Sequence, residues 1–196
     1  MLLALALFAA ALLAGVVNAL AGGGLLFTFP ALVALGVPPV AANATANIAS
    51  WPGYASAAFA MRRELAHAGG LRLLLITGVA GGVTGAALLK VMSAQVFSYL
   101  VPWLLLLATL LFWQGRALLA WLGRDHHAVN RRWLAVGSWL VSVYGGFFGG
   151  GMGVMMMTLF SLCGIPSLFT QNALKIFLSL VLNTASVIVL LAAGLA

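Results

Sequence analysis

Two stretches of this chain are too long and too poor in charge to cover a water-facing surface. The first 61 residues contain no Asp, Glu, Lys or Arg, and the run from Trp133 to Ala196 contains only Lys175. A transmembrane helix needs about 20 apolar residues, so each stretch must supply two or more. Over all 196 residues, 64% are hydrophobic and 6% charged, against roughly 25% charged in soluble domains. Inside a bilayer only helices and closed barrels satisfy every backbone group. The apolar runs do not alternate in polarity, which predicts helices rather than barrel strands. The expected fold is all-α, a polytopic transmembrane helical bundle.

Six hydrophobic segments are expected, at roughly 2–21, 25–61, 71–91, 95–121, 133–162 and 167–195. Segment 25–61 is interrupted by Gly36-Val37-Pro38-Pro39 and is compatible with one span, two, or a re-entrant hairpin. Arg62, Arg63, Glu64 and Arg72 form one basic loop; Arg124, Asp125, His126, His127, Arg131 and Arg132 form a second. Segments 71–91 and 95–121 make an up-and-down pair between them, so both loops lie on one side, which the positive-inside rule makes cytoplasmic. The turn from Lys90 to Ser93 then lies on the other side. The division expected is a first transmembrane repeat at 1–121, a basic cytoplasmic loop at 122–132, and a second, incomplete repeat at 133–196.

Several functions are disfavoured. The net charge of +7 does not indicate nucleic-acid binding, because the cations sit between apolar runs rather than along one face of a soluble domain. Cys163 is the only cysteine and reads as a small packing residue. Ala19-Leu20-Ala21 resembles a signal-peptidase site, but no Lys or Arg lies near Met1 to form a basic leader. His126 and His127 are adjacent in a basic loop with no carboxylate cluster, which favours solvent exposure over metal binding. There is no nucleophile–His–acid set, acidic pair or phosphate loop, so no enzyme, metal site or bound cofactor is expected.

The chain repeats itself. Asn18 precedes Gly22-Gly23-Gly24, then Pro30, Gly36-Val37-Pro38, and Asn43, Thr45 and Asn47. Between 127 and 128 positions later come Gly149-Gly150-Gly151, then Gly164-Ile165-Pro166, and Asn172 and Lys175. Glycine costs about 1 kcal/mol of helix propensity relative to alanine, so a triplet breaks a helix. Duplicated, Gly/Pro-interrupted segments mark the binding site of many transporters, and the freed N–H groups of broken helices can hold an anion. Small residues also permit close helix approach, the reading that suits Gly78, Gly81, Gly82 and Gly85. Asn172, Lys175, Ser179 and Asn183 are spaced to share one helix face, and Asn43, Asn47, Ser50 and Tyr54 are spaced similarly. An intramembrane lysine costs about 2.5–3.5 kcal/mol on insertion scales, so Lys175 needs a role; snorkelling to an interface is the bland alternative. Glu64 and Asp125 are expected in loops, which leaves an anionic substrate as its counter-charge.

At these residues the sequence resembles the sulfite exporter TauE/SafE family of small bacterial membrane permeases. The likeness rests on Ala21-Gly22-Gly23-Gly24, Pro30, Gly36, Pro38, Ala42 and Thr45, and again on Gly149-Gly150-Gly151, Gly164 and Asn172-Ala173-Leu174-Lys175. It implies a multi-pass protein of the bacterial inner membrane that moves sulfite, a sulfonate or a similar sulfur-containing anion. The expected substrate site comprises Lys175 for charge, Asn172, Asn43, Asn47 and Thr45 as hydrogen-bond donors, and Gly22, Gly23, Gly24, Gly149, Gly150 and Gly151 shaping the cavity. A full second repeat would continue for about 50 more residues, so the chain reads as a shortened member or a fragment. Besides the lipid bilayer and the small anion, the expected partner is a second copy or another membrane chain that completes the bundle. A non-transporting helical subunit is the competing reading.

Overall fold

The structure, a computed structural model, describes residues 8, 11–18, 22–121 and 131–194, and all regular structure among them is helical. Residues 11–18 are helical and lead into a break at Gly22–Gly24. There follow α1 (Leu25–Ala34), α2 (Pro39–Ala60), α3 (Arg62–His67), α4 (Leu71–Val91), α5 (Ala94–Trp121), α6 (Arg131–Phe147), α7 (Met152–Leu162) and α8 (Leu168–Ala192). Among the described residues, α4 and α8 are long and apolar enough to cross a membrane. Helices α1 and α7 have 10 and 11 residues, about 15 Å at 1.5 Å per residue, or half a ~30 Å hydrocarbon layer.

The six stretches read from the sequence do not map one to one onto helices. Segment 25–61 divides into α1 and α2, and segment 133–162 divides into α6 and α7. The divisions fall at glycines in the left-handed region: Gly22, Gly36, Gly149, Gly151 and Gly164 all have φ between 73° and 83°, where a Cβ is costly. Glu64, expected in a loop, lies in α3, while Arg131 and Arg132 lie in α6. Arg124, Asp125, His126 and His127 fall outside the described residues.

Each break turns the chain back. A Cβ on Gly24 would lie 2.5 Å from the Ala14 carbonyl oxygen, and one on Gly137 would lie 3.1 Å from Leu159 Cδ2. Residues 11–18 with α1, and α6 with α7, are therefore antiparallel hairpins whose tips are the two glycine triplets. They come from opposite ends. Helix α1 runs toward the end where Phe29 packs edge-on against Phe97 and Phe148. Helix α7 runs toward the other end, where Ile165 shares a pocket with Arg72 and Arg131. Arg62, Arg63, Arg72, Arg131 and Arg132 all lie near this second, basic end, set by the C-terminus of α2 and the starts of α4 and α6.

Helices α4, α6 and α8 run parallel from the basic end and pack through a glycine stripe. A Cβ on Gly81 would sit 2.8 Å from the Trp139 carbonyl, one on Gly85 2.6 Å from Phe147 N, and one on Gly82 3.0 Å from Leu182 Cα. Such backbone approach is available only to residues without side chains. Two polar pairs fix the register: Thr77 Oγ1 lies 2.9 Å from Ser138 Oγ, and the Ser186 hydroxyl donates to the Gly82 carbonyl at 3.1 Å.

Breaking a helix in an apolar interior frees carbonyls that need donors. At the α6–α7 tip the Tyr144 carbonyl accepts from the Phe148 and Gly149 N–H groups at 2.8 and 3.2 Å. The Tyr144 hydroxyl donates to the Gly150 carbonyl at 2.6 Å. Asn43 Nδ2, from α2, donates to the Phe147 carbonyl at 2.8 Å.

Two stability measurements check this account in detergent. Gly85→Leu should cost about 1–3 kcal/mol by overpacking, whereas Gly53→Ala, with nothing within 4 Å, should be neutral or gain up to about 1 kcal/mol; equal melting temperatures would refute the stripe. Asn43→Ala should cost about 1–3 kcal/mol by stranding a buried carbonyl. Ser98→Ala, which loses only an exposed bond within its own helix, should change stability by no more than about 0.5 kcal/mol.

Candidate functional site

Two buried polar rows face the interior. Helix α2 buries Asn43, Asn47 and Tyr54, and α8 buries Gln171, Lys175, Ser179, Asn183 and Ser186. Lys175 is only 1% exposed, so the single charge of the second apolar stretch is inside the protein rather than snorkelling out. The row on α8 follows the spacing expected from the sequence, with Gln171 and Ser186 as additions.

The rows run antiparallel. Trp51 Nε1 donates to Thr184 Oγ1 at 2.8 Å, and Asn172 Nδ2 lies 3.8 Å from the Met61 sulfur, so numbering rises along one helix as it falls along the other. In this register Asn47 sits opposite about residue 187, about 18 Å along the axis from Lys175. The asparagines and the lysine are therefore not gathered at one point. Asn43 and Asn47 lie toward the end opposite the arginines, and Asn172 and Lys175 lie toward the basic end. Thr45 is exposed on the other face of α2.

The donors of the first-half asparagines are engaged. Asn43 Nδ2 holds the Phe147 carbonyl, and Asn47 Nδ2 donates to the Asn43 carbonyl at 3.0 Å. What remains is oxygen: Asn43 Oδ1, Asn172 Oδ1 and Asn183 Oδ1 are buried acceptors with no hydrogen-bond partner. Asn47 Oδ1 lies against the second break, 3.3 Å from where a Cβ on Gly149 would be.

Gly22, Gly23, Gly24, Gly149, Gly150 and Gly151 are all buried, and the two tips touch. A Cβ on Gly22 would stand 2.5 Å from Gly153 Cα, and the Gly153 N–H approaches the Gly22 carbonyl at 3.4 Å. Beside the first break, residues 11–18, α1, α2 and α8 enclose a cavity of about 150 Å³. Its polar wall is Asn18, Thr28, Ser50 and Tyr54, with Gly24 and Ile176 beside them. The Tyr54 hydroxyl donates to Asn18 Oδ1 at 3.0 Å. At about 30 Å³ per water, this volume accommodates a small oxyanion. Lys175 does not line the cavity but precedes Ile176, which does. The sequence reading did not include Asn18, Thr28 or Tyr54 in the expected site; the signals available were the place of Asn18 and Thr28 beside the first glycine triplet and the spacing of Tyr54 with Asn43, Asn47 and Ser50.

Among known proteins, the profile of the sulfite exporter TauE/SafE family matches residues 7–196. The chain is 32% identical over 163 residues to a probable membrane transporter protein, YfcA, of Escherichia coli (strain K12), covering 81% of this chain and 59% of that protein. It is 30% identical over 154 residues to a probable membrane transporter protein of Haemophilus influenzae, covering 76% of this chain and 59% of that one. It thus spans about three fifths of the length of these relatives. No solved structure matches it. With the family profile matching nearly its full length, the chain belongs to the sulfite exporter TauE/SafE family.

Proposed function

We propose that this chain forms the translocating core of a multi-pass permease of the bacterial inner membrane that carries a small sulfur-containing oxyanion such as sulfite or a sulfonate. The observation that carries this reading is Lys175, buried at 1% exposure and next in sequence to Ile176, which lines the cavity beside Gly24. An ammonium held inside an apolar bundle sets up a positive field, and the N-terminus of α1 adds to it at Gly24. The family name supplies the sulfur anion.

In this mechanism the substrate enters the cavity beside Gly24, where Asn18, Thr28, Ser50 and Tyr54 provide polarity; Lys175, one residue before the cavity-lining Ile176, supplies charge from behind the wall, and Asn172 lies nearer the basic end. Gly24 keeps its part of the wall free of a side chain. Asn43 and Asn47 act on the pathway indirectly, by fixing the second break at Gly149–Gly151, and Thr45, exposed, is outside it. Residues 1–121 and 133–196 act as inverted repeats whose hairpins enter from opposite sides, and rocking of one against the other gives alternating access. The five arginines at one end orient that end, with segment 122–132, toward the cytoplasm.

Uptake of labelled sulfite into proteoliposomes tests the proposal. Flux should saturate with concentration, and Lys175→Ala should lower it by about tenfold or more, the equivalent of roughly 1.4 kcal/mol, while the variant still elutes as a folded species. Saturable flux unchanged in Lys175→Ala would remove the lysine from the pathway. Absence of flux from folded wild-type protein would favour the non-transporting subunit, a reading the partial coverage of the relatives keeps in view.

A further inference from the structure

A second cavity, of about 560 Å³, opens at the basic end and shares no lining residue with the one beside Gly24. Its walls include Gly70, Arg72, Arg131 and Thr170, and Leu73 and Leu174 give it an apolar side. We propose that this vestibule binds a phosphate- or sulfate-class oxyanion between the starts of α4 and α8 and the first turn of α6.

Three features converge on that chemistry. Arg72 and Arg131 stand on neighbouring parallel helices and, though both are exposed, border the same cavity. Arginine's forked donors match tetrahedral oxyanions. Helix α4 begins at the cavity after Gly70, which has φ +83° and is followed by no side-chain cap. The first N–H groups of α4 therefore find no partner within the helix and present its positive end to the same space.

The nearby negative charge does not cancel this. The Glu64 carboxylate accepts from the Thr170 hydroxyl at 2.5 Å, tying α3 to the first turn of α8 at the cavity edge. This one carboxylate is outnumbered by Arg72 and Arg131 on the cavity wall and by Arg62 and Arg63 on its own helix. The apolar side also suits an oxyanion that carries a hydrocarbon tail, and basic pockets between transmembrane helices are a recurrent setting for lipid head groups. The same chemistry serves a free anion held outside the inner cavity. The proposal does not depend on transport.

The test compares wild-type protein with Arg72→Gln/Arg131→Gln in low-salt detergent, reading bound labelled sulfate at equilibrium and phosphatidylglycerol retained through native mass spectrometry. The double variant should weaken sulfate binding about tenfold or more. Phosphatidylglycerol retained by wild type and displaced by sulfate identifies a lipid head group as the occupant. Sulfate binding with equal lipid retention in both proteins identifies a free anion. Sulfate affinity and lipid retention that are both unchanged in a variant melting at the wild-type temperature overturn the site. Should the variant unfold, sulfate protection of wild-type arginines from phenylglyoxal decides: slower modification at Arg72 and Arg131 than at Arg62 supports the vestibule, and uniform modification overturns it.

Discussion

The two hairpin tips pass each other where Gly22 meets Gly153, and the surrounding structure depends on that approach. A side chain on Gly22 would collide with the backbone of the other tip, 2.5 Å away at Gly153 Cα. The crossing also leaves backbone groups in an apolar interior, where each unanswered one is costly. Asn43 and Tyr144 answer two of the carbonyls from the side, and Gly149 turns so that the Tyr144 carbonyl takes two donors. Removing the glycines would prevent the crossing. Removing the amide or the phenol would leave it unsatisfied.

Around this centre the bundle distributes chemistry unevenly between α2 and α8. Asn47 and Lys175, paired by the 128-residue offset read from the sequence, differ in kind: one is a neutral amide braced on its own helix and the other a buried lysine. Among the described residues the buried charge therefore lies nearer the arginine-bearing end. The glycine stripe of α4 packs this geometry closely: Gly81 and Gly85 bring it against α6 while Gly78 and Gly82 bring it against α8.

Much of this was legible in the sequence, and the reasons are local. A glycine triplet or a Gly-x-Pro step announces a break because only glycine takes a left-handed backbone cheaply; Gly22, Gly36, Gly149 and Gly164 all do so. The packing role of Gly78 to Gly85 and the spacing of Lys175, Ser179 and Asn183 were also readable. Residues 133–162 hid a hairpin, because an apolar run carries no period that separates one span from two short helices facing each other. The antiparallel register of α2 against α8 is non-local and separated Asn47 from Lys175. Thr45 could have been set aside: two residues from Asn43, at about 100° per residue, it must point to the other side of the helix.

The central structural claim is that the two broken hairpins enter from opposite sides, with the α1–α2 turn at one face and the α7–α8 turn at the other. Single cysteines test it directly when introduced as Leu35→Cys or Leu168→Cys, both at exposed positions, with Cys163 replaced by alanine. A membrane-impermeant maleimide applied to spheroplasts and to inverted vesicles should label the two thiols from opposite sides, the Leu35→Cys variant from outside and the Leu168→Cys variant from inside. Labelling of both variants from the same side would contradict the opposed hairpins and the inverted arrangement built on them.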